Sequence, residues 1–413
     1  MTARRRSRVA TAAALALLVL PAPAVAQPDA ARCEVAPAAA ASPAVVPIEV
    51  TNDHVFVRVC AAGRPLDFIL DTGAPNSFLD LGTARELGLR LGASFTARGA
   101  GAGTVAGARL DRTSVALAAT GLEHPVAAAI DFSGITPREG RRLHGVLGYD
   151  FVARFVVTID YARGELRLHD RRAFRHDGPG VAVPVTLEGN YPYVDAAIVL
   201  ADGGTVEGRL LVDVGASQAL SLGKPVVDRH RLRERVGPLA RRRGGSGVGG
   251  ATAHDVGRVA ALRLGGLEVR SPVVHLHGDS AGVFTERASY VGSIGGDLLR
   301  RYIVHLDYAR RRILFEPHAG TGEPFEADMS GLGLVAGTEL ATVIVADVAA
   351  DTPASAAALA PGDTIVAVDG RPTDARTLDR LRRRFRTDGE RVALTVRRDG
   401  AERTVTLVLR RVV

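Results

Sequence analysis

The sequence predicts a mainly β protein made of two pseudo-symmetric β-rich lobes followed by a separate α+β module. Three observations predict it. Short alternating apolar runs broken by Gly and Asp fill most of the chain. An internal repeat of about 140 residues relates its first two parts. The C-terminal segment does not repeat and carries more charge.

The alternation begins near Val46. Val55-Phe56-Val57-Arg58-Val59 and Leu66-Asp67-Phe68-Ile69-Leu70 read as strands, since β-branched and aromatic residues alternate between turn residues. Thr83 to Leu91 has helical spacing and is expected to end near Gly92.

The repeat is the most informative feature. Gly145-Val146-Leu147-Gly148 corresponds to Gly292-Ser293-Ile294-Gly295. Downstream, Asp150, Arg154, Val157, Asp160, Tyr161, Ala162 and Arg163 align without gaps on Asp297, Arg301, Val304, Asp307, Tyr308, Ala309 and Arg310. Val46-Pro47-Ile48 likewise corresponds to Val183-Pro184-Val185. Solenoid repeats run ~20–50 residues, so a period this long indicates a duplicated domain. The expected lobes are residues 47–180 and 181–322, with the α+β module over 323–413.

The chain has 413 residues, and 46% of them are hydrophobic; Trp is absent and Gly numbers 46. Strands and turns of Val, Leu, Ala and Gly are therefore expected instead of an aromatic core. Residues 1–26 read as a signal peptide, with a basic start at Arg4, Arg5, Arg6 and Arg8. An apolar run follows from Val9 to Leu20, and then the small-residue site Ala24-Val25-Ala26. A membrane span needs ~20 apolar residues, and no stretch supplies them, so no stable span is expected after cleavage. Residues 27–46 are an Ala/Pro-rich lead-in. A periplasmic or secreted location follows as an expectation.

The net charge is +7, but the leader holds four Arg and no acid. The remainder has 48 basic against 45 acidic residues, a surplus of +3. That surplus implies no nucleic-acid partner. Arg241-Arg242-Arg243 sits among glycines and reads as a solvated loop. An exported chain permits a Cys33–Cys60 disulfide, and two unpaired thiols fit the sequence equally well.

Each lobe carries Asp-x-Gly after an apolar strand. Lobe one has Phe68-Ile69-Leu70-Asp71-Thr72-Gly73-Ala74, and lobe two has Leu210-Leu211-Val212-Asp213-Val214-Gly215-Ala216. One such turn is a weak signal. Two at matching repeat positions would meet at a pseudo-twofold axis. Two carboxylates at ~3 Å cannot both ionise and so share a proton, the arrangement that activates a water for peptide hydrolysis. Asp71 and Asp213 are the candidate catalytic pair.

Residues 47–322 resemble the pepsin/retropepsin superfamily of aspartic peptidases in its single-chain, two-lobed form. The Asp-Thr-Gly-Ala of lobe one matches the retropepsin-like signature, and the chain looks nearest to bacterial members. The resemblance implies an aspartic-type endopeptidase that uses no cofactor and acts on protein or peptide substrates. Asp71 and Asp213 would be catalytic, with Thr72, Gly73, Val214 and Gly215 supporting the catalytic loops. It also implies that the apolar pairs before Gly148 and Gly295 pack behind those loops. The Gly-rich stretches 98–103 and 244–250 would be flap tips. One departure matters: Val214 stands where the family has Thr or Ser, whose hydroxyl clamps the opposite loop. A catalytically weak or inactive peptide-binding scaffold on the same fold is therefore the alternative.

Two further signals are weaker. Gly278-Asp279-Ser280-Ala281-Gly282 matches a hydrolase nucleophile elbow, but it lacks the strand-turn-helix setting that the elbow requires. His275 and His277 alternate on one strand face with no third ligand at a recognisable spacing. They are expected at the surface, and no metal site is expected.

The C-terminal module resembles a PDZ domain. Gly331-Leu332-Gly333-Leu334, and later Gly362-Asp363-Thr364-Ile365-Val366-Ala367-Val368-Asp369-Gly370, carry the likeness. It implies that Gly331, Leu332, Gly333 and Leu334 offer backbone N–H groups to the carboxylate of C-terminal tails. The tail would add a strand against a helix over Thr377 to Phe385.

Overall fold

The computed structural model describes residues 33–37, 42–101, 103–278, 290–338 and 340–413. The expected signal peptide and residues 279–282 of the Gly278–Gly282 motif lie outside these residues.

Each lobe is organised around a strand that runs into an acidic turn. In lobe one that strand is Arg64–Leu70, whose last three residues are buried. It pairs antiparallel with His54–Ala61 and parallel with Gly145–Leu147, which in turn pairs antiparallel with Phe78–Asp80. Lobe two repeats the pattern. Thr205–Val212 runs parallel with Gly292–Ile294, and Leu220–Leu222 closes against the latter antiparallel. The sequence repeat is thus also a repeat of strand pairing.

A six-strand stretch of a 15-stranded sheet joins the lobes. Its order is Val181–Pro184, Arg312–Pro317, Tyr302–Asp307, Val156–Asp160, Glu165–His169 and Ala44–Thr51. The two central strands come from opposite lobes and are antiparallel, with Thr158 opposite His305. One apolar core runs through both lobes, while the C-terminal module has its own core around Val345, Ile365, Phe385 and Leu394.

Some expectations shift. The first helix is Leu81–Glu86, not Thr83 to Leu91. The Asp80 carboxylate accepts from the Thr83 N–H at 2.8 Å and starts the helix early. Gly88, at φ +65°, turns the chain away, and Leu91 already opens a strand. The lead-in is shorter than 27–46, because the first strand begins at Ala44. Cys33 and Cys60 form a disulfide, which ties the lead-in to the strand His54–Ala61. Arg241-Arg242-Arg243 lies in the strand Ala240–Gly247 and not in a loop. Among the described residues no helix is long and apolar enough to cross a membrane.

The C-terminal module is a sheet of Leu332–Ala336, Val343–Val348, Thr364–Val368, Arg371–Pro372, Arg391–Arg398 and Ala401–Val408, packed against the helix Thr377–Arg384. The module docks onto both lobes. Asp379 accepts from the Asn52 N–H at 3.2 Å, and Arg386 donates to Asp53 at 3.0 Å. Asp53 also pairs with Arg300 of lobe two at 3.0 Å, so one carboxylate ties together lobe one, lobe two and the module.

Candidate active site

The strands Arg64–Leu70 and Thr205–Val212 deliver Asp71 and Asp213 to the same point. Leu147 and Ile294, from the parallel partner strands, accept from the Asp71 and Asp213 N–H groups, each at 2.9 Å. The two carboxyl groups hydrogen-bond to each other. Each also accepts from the N–H two residues on, Gly73 to Asp71 at 2.8 Å and Gly215 to Asp213 at 3.0 Å.

The glycines are required by close approach. A Cβ on Gly73 would lie 2.7 Å from the Asp213 carboxyl carbon, and one on Gly215 would lie 2.3 Å from that of Asp71. Any side chain there would push the carboxylates apart.

Burial raises Asp71 above the ordinary carboxylate range, against the opposing pull of the Gly73 N–H and the Asp213 hydrogen bond. Burial raises Asp213 further, and the neighbouring Asp71 charge adds to it. The pair therefore holds one proton well above the pH at which a lone carboxyl loses it.

Thr72 is fully buried and spans the axis. Its hydroxyl donates to the Val212 carbonyl at 2.6 Å and accepts from the Val214 N–H at 3.0 Å. Val214 is also fully buried and offers no hydroxyl in return. Only half of the symmetric clamp is built. Val214→Thr is expected to add the missing bond to the Leu70 carbonyl and raise stability by about 0.5–1.5 kcal/mol in urea unfolding. A loss of stability would mean that no acceptor waits there.

The carboxylates open into a cavity of about 550 Å³, a size typical of ligand sites. Two hairpins roof it, Leu91–Arg98 with Thr104–Leu110 and Ala240–Gly247 with Gly250–Arg258. Their tips touch: Gly101 N–H donates to the Val248 carbonyl at 2.9 Å, and Gly103 N–H donates to that of Gly249 at 2.7 Å. Both Gly-rich stretches expected to be flap tips are therefore tips, and they meet. A Cβ on Gly101 would lie 2.3 Å from the Gly249 carbonyl carbon and 2.4 Å from the Gly250 nitrogen. Gly101→Ala should break these contacts and prevent closure. Two lost bonds of about 0.5–1.5 kcal/mol each predict a fall in kcat/KM of about 5- to 150-fold with kinetics on a peptide substrate. Unchanged kinetics would show that closure plays no part.

The two walls differ. On the lobe-one side Phe56, Ile69, Ile130, Phe132, Leu143 and Val146 form a separate apolar cluster, against which Val248 of the other flap packs. On the lobe-two side His254, His275 and His277 line the cavity. His254 and His277 are buried, and the His254 and His275 rings lie 4.6 Å apart. The expected surface placement of His275 and His277 is thus corrected. The flap strand Gly250–Arg258 pairs with Val273–His277 and covers them.

His54 and Glu139 also line the cavity, and no motif in the sequence marks them. His54 Nδ1 lies 2.8 Å from Glu139 Oε2, both buried. Burial opposes the imidazolium, but the Glu139 carboxylate and the charges of Asp53 and Asp71 outweigh it and raise the His54 pKa. Burial likewise opposes the Glu139 anion, yet His54 and Arg382 hold its pKa below the ordinary range. The separation of 85 positions hides the pair from any local pattern.

Leu332 and Leu334 are buried in the C-terminal module's core, and Gly331 has φ +86°. The Asp328 carboxylate accepts from the Ser330 and Gly331 N–H groups at 3.0 Å, and the Ser330 hydroxyl accepts from that of Leu332 at 3.0 Å. Leu332, Gly333 and Leu334 face the same cavity as Asp71. Lobe-one residues 135–140 lie alongside, and a Cβ on Gly140 would come within 3.0 Å of Leu378 on the helix Thr377–Arg384. Arg382 of that helix donates to the Leu334 carbonyl at 3.1 Å. The groove that would receive a tail is therefore flanked by the chain's own lobe one.

A family model described as aspartyl protease matches residues 57–151, which include Asp71 and the Gly145–Leu147 strand. A second, described as PDZ domain, matches residues 322–409. No curated protein matches the sequence. Among solved structures, the aspartic proteinase from Irpex lacteus is similar at 13% identity and a TM-score of 0.44, over 68% of this chain and 99% of that one. The chain, mainly β in fold, thus matches an aspartyl protease model over residues 57–151 and a PDZ model over residues 322–409.

Proposed function

We propose that the chain is an exported aspartic endopeptidase, periplasmic or secreted, in which Asp71 and Asp213 activate a water across the lobe axis. The observation that carries this reading is the meeting of the two carboxyl groups, each packed against the other lobe's Asp-x-Gly turn, at the floor of a roofed cavity. The ionised member takes a proton from the water, and the oxygen attacks the peptide carbonyl. The protonated member polarises the carbonyl oxygen. The proton taken from water then passes to the leaving nitrogen. No fixed role attaches to either Asp, since the two ionisations belong to the pair.

The apolar wall of Ile69, Ile130 and Phe132 supports cleavage beside an apolar side chain. The Cys33–Cys60 bridge supports export, because disulfides persist in oxidising compartments. The PDZ match supports a protein or peptide partner, including C-terminal tails. In the docked arrangement residues 135–140 of lobe one flank the groove that a tail would enter. Leu332 and Leu334 are core residues, so a charge placed there would unfold the module and would not report on tails.

Val214 supports the second reading, a peptide-binding protein with little turnover. The purified chain incubated with an unfolded protein mixture separates the two. New cleavage products that vanish in Asp71→Asn support the peptidase. Tight peptide binding without products from acidic to neutral pH supports the scaffold and overturns the peptidase.

A further inference from the structure

We propose that His176, His305 and Glu316 form a binding site for a divalent cation with zinc-like ligand preference, clipping the connection between the lobes to the interlobe sheet. His305 lies in the strand Tyr302–Asp307, and Glu316 in its neighbour Arg312–Pro317. His176 comes from the segment that leads from lobe one to lobe two. None of the three lines the cavity that holds Asp71.

One ligand atom from each of the three side chains can be chosen so that all lie within 4.8 Å of one another. His305 Nε2 is 3.1 Å from Glu316 Oε2, and His176 Nδ1 is 3.9 Å from the same oxygen. A tetrahedral zinc with bonds of about 2.0–2.2 Å needs ligand atoms about 3.3 Å apart, so small side-chain rotations suffice. Two imidazoles and one carboxylate suit zinc better than calcium or magnesium, which prefer all-oxygen shells. Solvent reaches the site through Glu316, whose side chain is 24% exposed, leaving room for a water as fourth ligand.

The outer contacts orient both rings. His176 Nε2 lies 3.3 Å from the Pro179 carbonyl, which can only accept, so the proton sits there and Nδ1 presents a lone pair. His305 Nδ1 lies 2.8 Å from the Thr158 hydroxyl, which lies 3.0 Å from His169 Nε2. Without a cation, His305 Nε2–H donates to Glu316. Metal binding needs that proton to move to Nδ1. Thr158 then accepts from Nδ1–H and turns its own hydrogen to His169 Nε2, with His169 protonated on Nδ1. Both rings stay neutral, and no proton is lost overall. Such outer partners hold ligating histidines in metal proteins. The three ligands sit at positions 176, 305 and 316, so no motif spacing announces them.

Isothermal titration of the chelator-treated, purified chain with ZnCl2, with melting followed in parallel, tests the proposal. One zinc per chain should bind and raise Tm. His176→Ala and Glu316→Gln should each abolish that binding, and Thr158→Val should weaken it about 10- to 100-fold. Co2+ should show the intense visible absorption of four-coordinate sites, lost in the same variants. His275→Ala is the control for the cleft histidines and should leave the stoichiometry unchanged. No zinc binding at micromolar concentration, or binding removed by His275→Ala but not by Glu316→Gln, overturns the site. Either result leaves the peptidase reading standing, since that depends on Asp71.

Discussion

Asp71→Asn is expected to remove hydrolysis of an unfolded protein by this chain, with kcat falling by at least about 100- to 10,000-fold, the usual share of general acid–base catalysis. An amide can neither accept the water's proton nor share one with Asp213. Folding should survive, since Asn keeps the shape and can still accept the Gly73 N–H. Asp213→Asn should be as inactive, and its stability gives a second signature. Asp213 has a folded pKa well above its ordinary value, so it stabilises the fold at low pH. That contribution is lost as pH rises through the folded value. The Asn variant has no second proton to lose and so gains no second buried charge, and its stability should fall less than that of the parent between acidic and neutral pH. Wild-type turnover in Asp71→Asn would end the assignment. Identical pH–stability curves for Asp213→Asn and the parent would mean that the carboxyls are not coupled.

Below pH 6.5, Glu139→Ala should cost about 3–5 kcal/mol in urea unfolding, because it leaves the His54 charge buried without its partner. Replacing both residues together, as His54→Leu with Glu139→Leu, should restore most of that loss, since an apolar pair has no charge to desolvate. A pH dependence follows from the directions of the two shifts. His54 is raised, so its contribution is complete below its ordinary value of 6.5 and is lost as pH rises through the higher folded value. Glu139 is lowered, so its contribution is complete above 4.5 and is lost as pH falls through the lower folded value. The pair should therefore stabilise most between about pH 4.5 and 6.5. A Glu139→Ala variant within 1 kcal/mol of the parent would show that His54 is neutral in the fold.

Much of the frame was legible because the duplication wrote it twice. Asp71 and Asp213 stood out only as a matched pair, and strand pairing then brought them together as the repeat required. Thr72 and Val214 were legible for the same reason, down to the missing hydroxyl. What a single stretch had to say alone fared worse. The helix after Asp80 was misplaced because a side-chain cap and a left-handed Gly88 outweigh apolar spacing. His275 and His277 read as surface residues because their cover comes from a flap strand about twenty residues earlier. His54 with Glu139, and the docking of Arg386 on Asp53, depend on partners brought near only by the finished fold. No periodicity encodes such meetings.

The antiparallel seam between Val156–Asp160 and Tyr302–Asp307 has a last consequence. A hydrolase assembled from two identical copies disappears on dilution, and any mutation alters both of its rims at once. Here the halves are covalently joined, so dilution leaves the reactive centre whole. Each half can also differ: one rim is greasy and the other imidazole-rich, and one carries an alcohol that the other lacks. A single chain is under no demand that its two sides stay alike.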